Sequence, residues 1–246
     1  MEATLSHRIR LGMLTPSSNT TLEPVTTAML SGLPEVSVHF SRFPVTEISL
    51  REQALGQFDL EKILQAARLL ADARVEVIGW NGTSSGWLGF DADELLCQQI
   101  KEATGIPATT SVLALNEILL AKHAQNFALV TPYRDDVQER IVENYQRSGF
   151  HCVAERHLGL DVNFSFAGVM DDQIRTMTRE VAAVGPKAIS TFCTNLRAAP
   201  LVNEFEHELG IPVYDTISTV VWKSLRISGV DTRRVSGWGS LFAEDF

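Results

Sequence analysis

The sequence predicts an α/β fold of two pseudo-symmetric lobes, each with a mainly parallel sheet, and an active site in the cleft between them. Three observations predict it. Short β-rich runs alternate with helically spaced apolar residues along the chain, the pattern of parallel strands joined by crossover helices. Three landmarks recur in the same order: Thr15-Pro16 with Thr131-Pro132, Gly82-Thr83 with Cys193-Thr194, and Gly105-Ile106-Pro107 with Gly210-Ile211-Pro212, spaced 116, 111 and 105 residues apart. An internal duplication accounts for three ordered matches better than chance turns do. The landmarks fall at the ends of expected strands, where open parallel sheets bind their ligands.

The elements follow in order. Ile9 to Thr15 reads as a strand that ends at Pro16-Ser17-Ser18-Asn19, and Val36 to Phe43 as a second. Leu60, Ile63, Leu64 and Ala67 keep helical spacing. Val75 to Trp80 reads as a buried strand. Asp91 to Ala103 reads as a helix that stops before Gly105-Ile106-Pro107, and Val112 to His123 as another. The pattern then restarts. Phe127 to Val130 is strand-like and ends at Thr131-Pro132-Tyr133. Asp135 or Asp136 is placed to cap a helix with Val137, Ile141, Val142 and Tyr145 on its apolar side. A strand begins at Cys152, and Ile174, Met177 and Val181 mark a helix. Lys187 to Phe192 is the strand before Cys193, and Leu201, Val202, Phe205 and Leu209 face inward from the helix after it. A last helix, Thr216 to Ile227, is expected to cross back to the first lobe. The first lobe is thus residues 1–120, completed by 216–246, and the second is 121–215. No Pro-, Gly- or Ser-rich linker separates them, so a tight interface is expected.

Composition narrows the class. With 246 residues and 45% apolar content, the chain can bury a sizeable core. A net charge of −9 with no Lys/Arg cluster argues against a nucleic-acid partner. No stretch has the apolar length to cross a bilayer, and Met1 to Arg10 lacks an apolar signal core, so a cytoplasmic protein with no membrane partner is expected. Cys97, Cys152 and Cys193 are too scattered for a disulfide framework or a zinc site, and the six histidines show no ligand spacing; no metal is expected. A homo-oligomer is compatible with all of this.

The chemistry is expected at two strand ends. One apolar run ends in Phe192-Cys193-Thr194-Asn195, and its counterpart ends in Trp80-Asn81-Gly82-Thr83-Ser84. One lobe offers a thiol where the other offers bare backbone, so the cleft holds one sulfur acid/base and not two. A helix starting near Arg197 to Pro200 is expected to lend Cys193 its N-terminal amides and lower the thiol pKa. Cys97 and Cys152 read as structural. Pro16, Ser17, Asn19 and their hydroxyl-rich neighbours supply donors for a carboxylate, with Glu23 as a capping-box acid. Thr83 and Ser84, with glycine-flexed amides, form a second anion nest. Tyr133, Thr194 and Asn195 add further hydrogen-bonding groups, and Arg42 and Arg197 are candidate carboxylate clamps. Trp80, Trp87 and Phe90 are candidates to line an apolar side pocket, although aromatic residues beside a strand are commonly core.

These residues resemble the aspartate/glutamate racemase superfamily, in its maleate isomerase and arylmalonate decarboxylase branch. The resemblance implies two Rossmann-like lobes and no cofactor. Pro16-Ser17-Ser18-Asn19-Thr20-Thr21-Leu22-Glu23 is similar to the maleate isomerase opening, which implies that Asn19 binds a carboxylate and that Tyr133 lies in the site. Cys193 matches the second-lobe cysteine. Gly82 stands where racemases and maleate isomerases carry their first-lobe cysteine, and Gly82-Thr83-Ser84 with the closing Gly237-Trp238-Gly239-Ser240-Leu241-Phe242 is similar to arylmalonate decarboxylase. Cys193 and Gly82 are therefore the expected catalytic positions. The expectation is a cofactor-independent decarboxylase of a malonate-type diacid, with or without an aryl group, whose enediolate is protonated by one cysteine. A cis-trans isomerase of a small unsaturated diacid and a non-catalytic binder of small dicarboxylates are the alternatives.

Overall fold

The computed structural model describes residues 8–244; Met1 to His7 and the last two residues, which the lobe boundaries include, lie outside them. In chain order the elements are β1 (Ile9–Pro16), α1 (Leu22–Met29), β2 (Val36–Phe43), α2 (Glu52–Leu55), α3 (Leu60–Asp72), β3 (Val77–Trp80), α4 (Ser85–Leu88), α5 (Phe90–Thr104), β4 (Ala108–Thr110) and α6 (Ser111–Ala121). There follow β5 (Asn126–Val130), α7 (Asp135–Arg147), β6 (His151–Arg156), α8 (Asn163–Phe166), α9 (Asp171–Ala182), β7 (Ala188–Thr191), α10 (Val202–Leu209), β8 (Val213–Asp215) and α11 (Thr216–Ile227).

The eight strands form two four-stranded sheets with the same order, β2-β1-β3-β4 and β6-β5-β7-β8, and every pairing in them is parallel. Central strands must be apolar on both faces, because helices cover both. Accordingly β3 and β7 are buried at every position, whereas the edge strand β6 has half-buried and exposed residues only. Helix α3 turns Ile63, Leu64, Ala67 and Leu70 onto the sheet, and the Asp59 carboxylate accepts from the Glu61 amide to start it. Each such buried Leu or Ile contributes on the order of 2 kcal/mol.

Two equivalent junctions organise the site end of the sheets. Thr110 caps α6 by accepting from Leu113 N at 3.0 Å, and Asp215 caps α11 by accepting from Ile217 N at 2.8 Å. Helix α11 is buried along most of its length and packs on α6 and β3 of the first sheet. Thr219 Oγ1 donates to the Ser111 carbonyl at 2.8 Å, and Lys223 pairs with Glu117 at 2.6 Å.

The halves meet at the carboxyl ends of their strands. The segment after β2 makes an antiparallel bridge, Glu47 with Val162, to the segment before α8. Ile48 N donates to the Asp161 carbonyl at 2.8 Å and Asn163 N to the Thr46 carbonyl at 3.0 Å. Asn144 of α7 donates to the Ser85 carbonyl at 3.0 Å. One continuous apolar core runs through both halves. No helix among the described residues is long and apolar enough to cross a membrane.

Candidate active site

Four strand-to-helix loops converge between the sheets: those after β1, β3, β5 and β7. Pro16, Gly82, Thr83, Ser84, Tyr133, Cys193 and Thr194 line one small cavity there. Its remaining walls are Val45, Ile48, Phe58, Trp80, Trp87 and Asn163. The enclosed space is about 20 Å³, room for about one water molecule.

Cys193 follows β7 and is 3% exposed. Burial dominates its acidity and pushes the thiol up to about 11; hydrogen bonds from the Tyr133 hydroxyl and the Asn195 and Leu196 amides pull the other way, and the Asp215 carboxylate adds to the rise. The expectation of a depressed thiol pKa is thus corrected. No helix begins at Arg197; a 3₁₀ turn, Ala199–Leu201, precedes α10, and the amides that reach the sulfur belong to the loop. At neutral pH the Cys193 thiol keeps its proton.

Tyr133 is 2% exposed, and its hydroxyl lies 2.6 Å from that of Thr83. Burial holds this phenol protonated, well above its ordinary range. Trp87 stacks edge-on against Tyr133 at 5.4 Å, and its indole N–H is buried with no hydrogen-bond partner. Such a donor costs about 1–3 kcal/mol until an acceptor arrives.

Three expected binding residues stand behind the cavity wall, because their side chains are spent on holding the loops together. Ser17 Oγ accepts from Val45 N at 3.1 Å. Asn19 Oδ1 accepts from the Thr21 and Leu22 amides at 2.9 and 3.0 Å, while its Nδ2 donates to Thr194 Oγ1 at 3.1 Å. Asn195 Oδ1 accepts from Thr20 N at 3.0 Å, and its Nδ2 donates to the Asn163 carbonyl at 2.6 Å. Asn19 caps α1, so Glu23 closes no capping box and pairs with Arg42 at 2.8 Å instead. Neither expected clamp reaches the cavity: Arg42 binds Glu23 and the Ser17 and Asn19 carbonyls, and Arg197 pairs with Asp171. Asp135 begins α7 but bonds His157, and Phe90 packs on Tyr145.

Asn163, Val45, Ile48 and Phe58 are cavity residues that sequence patterns do not mark. They sit in irregular segments without periodicity, and only the cross-sheet bridge brings them together. Two buried carboxyls support the loops: Asp93, raised to about 6, accepts from Ser85 Oγ at 2.8 Å, and Asp215, raised to about 7, accepts from Thr191 Oγ1 at 2.7 Å. Desolvation is the main cause of both shifts. A larger surface groove of about 520 Å³ lies elsewhere, between α7 and β6. Asp135, Glu139, Glu143 and Glu155 line it, and their charge repels an anionic diacid. Among the described residues no cluster of three or more His, Cys, Asp or Glu side chains is arranged to hold a metal ion.

This geometry has known counterparts. Residues 11–242 match the family model described as arylmalonate decarboxylase. Arylmalonate decarboxylase of Bordetella bronchiseptica is 29% identical over 191 residues, covering 75% of this chain and 78% of that protein. Maleate isomerase of Nocardia farcinica is also 29% identical, over 248 residues that cover 96% of each chain. A solved structure of Nocardia farcinica maleate cis-trans isomerase, a cysteine-to-serine mutant with a covalently bound succinylcysteine intermediate, superposes with a TM-score of 0.87 at 27% identity, covering 97% of this chain and 99% of that one.

Proposed function

This chain belongs to the arylmalonate decarboxylase family, and we propose that it is a cofactor-independent decarboxylase of a malonate-type diacid, with Cys193 as the proton donor. The observation that carries this reading is the asymmetry of the cavity. A single buried thiol comes from the second sheet, and a glycine occupies the equivalent place in the first.

The C–C bond to one carboxylate breaks, its electron pair stays on the α-carbon, and neutral carbon dioxide leaves. The remaining carboxylate and α-carbon form an enediolate dianion. Cys193 gives its S–H proton to that carbon, producing the monoacid anion and a thiolate, which solvent reprotonates. Tyr133, Thr83, Ser84 and the unpartnered Trp87 N–H are the donors that hold the enediolate, which carries more oxygen charge than the retained carboxylate did. Trp80, Val45, Ile48 and Phe58 make the other walls apolar, which disfavours a carboxylate and suits departing carbon dioxide.

The Nocardia relative favours a second reading, isomerisation of maleate. Covalent isomerisation needs a thiolate nucleophile. Burial raises the Cys193 thiol to about 11, so at neutral pH its protonated form predominates. The acid role fits that state and the nucleophilic role does not. Proton NMR in D₂O separates the readings. With 2-phenylmalonate the expected product is phenylacetate carrying solvent deuterium at the α-carbon; conversion of maleate to fumarate, with no loss of any malonate, would replace the first reading by the second. Thermal stabilisation by both acids with turnover of neither would leave a dicarboxylate binder.

A further inference from the structure

Gly82 has no unusual backbone: its φ is not positive, unlike that of nine other glycines among the described residues. Its missing side chain has a different cause. A Cβ at residue 82 would lie 2.0 Å from Cζ2, 2.3 Å from Cε2 and 2.6 Å from Cη2 of Trp80. Those atoms belong to a rigid indole that is 1% exposed and packs on Phe43 at a ring-centroid distance of 5.0 Å. A flexible chain could swing its end aside; an indole can yield only by moving as a whole. Trp80 also lines a second, mainly apolar cavity of about 200 Å³ with Phe58, Leu60, Ile63 and Leu96, to which Ser84 and Asp93 add polar groups. The ring therefore stands between two spaces, inside the volume that a first-lobe catalytic side chain would occupy.

We propose that Trp80 is the specificity-determining residue of this site: its indole takes the place of a first-lobe acid/base and leaves the Cys193 thiol as the only proton donor to the reacting carbon. The inference rests on the decarboxylase reading and adds the handedness of the product to it. An enediolate is planar at the α-carbon and can be protonated on either face. With an apolar ring where a second thiol or a water would stand, one face receives the proton.

Two measurements test this, and the first needs no substrate. In a stability cycle, Gly82→Ala is expected to lower the Tm by about 5 °C or more beside Trp80 and to cost little in the Trp80→Ala background. Equal cost in both backgrounds would show that the indole does not fill the residue-82 volume and would overturn the proposal. Trp80→Phe, which removes the ring atoms nearest residue 82, takes the place of Trp80→Ala if the latter does not unfold cooperatively.

The second measurement uses 2-methyl-2-phenylmalonate, whose product is chiral. The unmodified chain is expected to give one enantiomer, and Trp80→Ala a mixture moving toward equal amounts. Trp80→Ala/Gly82→Cys is expected to racemise 2-phenylpropionate, as one thiolate removes the α-proton and the opposite thiol returns another; Gly82→Cys beside Trp80 is not. Single handedness retained by an active Trp80→Ala variant would overturn the proposal. If the unmodified chain decarboxylates no malonate, the decarboxylase reading fails, and the stability cycle still decides whether Trp80 blocks the seat.

Discussion

The hydroxyl groups of Thr83 and Tyr133 lie 2.6 Å apart, although 50 residues separate them in the chain and each belongs to the loop of a different sheet. The Tyr133 hydroxyl also favours the ionised form of the Cys193 thiol, so groups from three loops act on one another here. That oxygen is well placed to follow charge as it grows on the substrate. Tyr133→Phe removes it while keeping the ring contacts with Trp87 and Phe166. The expected outcome is a loss of about a hundredfold in kcat/KM with a small change in stability. Steady-state kinetics on the preferred malonate, beside urea unfolding, checks it; unchanged kcat/KM would remove Tyr133 from the chemistry.

Cys193→Ala should lower kcat by about a hundred- to ten-thousandfold and leave diacid binding, read as thermal stabilisation, in place. The pH profile of the unmodified chain carries the same information. The folded thiol titrates at about 11, so the rate should hold through neutral pH and fall as the pH rises through that value. Because the folded pKa lies above the ordinary one, the thiol's contribution to stability is present below about pH 9 and is lost toward 11. A rate that falls instead near pH 8 would mean that another group supplies the proton.

Asp215 ties the second sheet's acidity to its architecture. Its carboxyl titrates at about 7 in the folded chain against an ordinary 3.8. The folded state thus holds that proton more tightly than the unfolded one. The stabilisation is complete below about pH 4 and disappears as pH rises through about 7, by at most about 1.4 kcal/mol per pH unit. Asp215→Asn keeps an oxygen for the cap on Ile217 and cannot titrate. Its stability should fall less steeply between pH 4 and 7, the remaining slope coming partly from Asp93, and its alkaline rate limb should move to lower pH because a charge that raises Cys193 is gone. Urea unfolding at several pH values measures the first effect; a slope equal to that of the unmodified chain would contradict it.

The long elements are legible in the sequence because their burial is one- or two-sided over many residues. Val36–Phe43 and Thr216–Ile227 can be read to the residue. The three-residue strands Ala108–Thr110 and Val213–Asp215 are not, since a two-residue period cannot show itself in three positions, and only the repeated Gly-Ile-Pro points to them. Helix α1 hides behind Pro24 and its threonines, which are poor helix formers, and forms because Asn19 caps it from the preceding loop. At the site, Cys193 and the Gly82 loop are legible as strand ends. Sequence does not show that Asn19 and Asn195 face the protein instead of the cavity, nor that the Trp80 ring folds over Gly82. Those facts depend on which loops of the other half arrive beside them.

Asn195 is the strongest case of such dependence, and it yields the last prediction. Its side chain accepts from two amides of the first half, Thr20 N at 3.0 Å and Thr21 N at 3.2 Å, and donates to the Asn163 carbonyl at 2.6 Å. It is 1% exposed, so water cannot replace it. Asn195→Ala takes the acceptor from Thr20 N and the donor from the Asn163 carbonyl, while Thr21 N keeps Asn19 Oδ1, and should cost about 2 kcal/mol, the penalty of leaving buried polar groups unpaired. Asn195→Asp keeps the acceptor for both amides but turns an oxygen toward the Asn163 carbonyl, so it should be no better at neutral pH. A substrate contact would behave differently, raising KM while stability stayed near that of the unmodified chain. Denaturant unfolding and KM measured on the same two variants therefore decide whether Asn195 is a clamp between the halves or a ligand of the diacid.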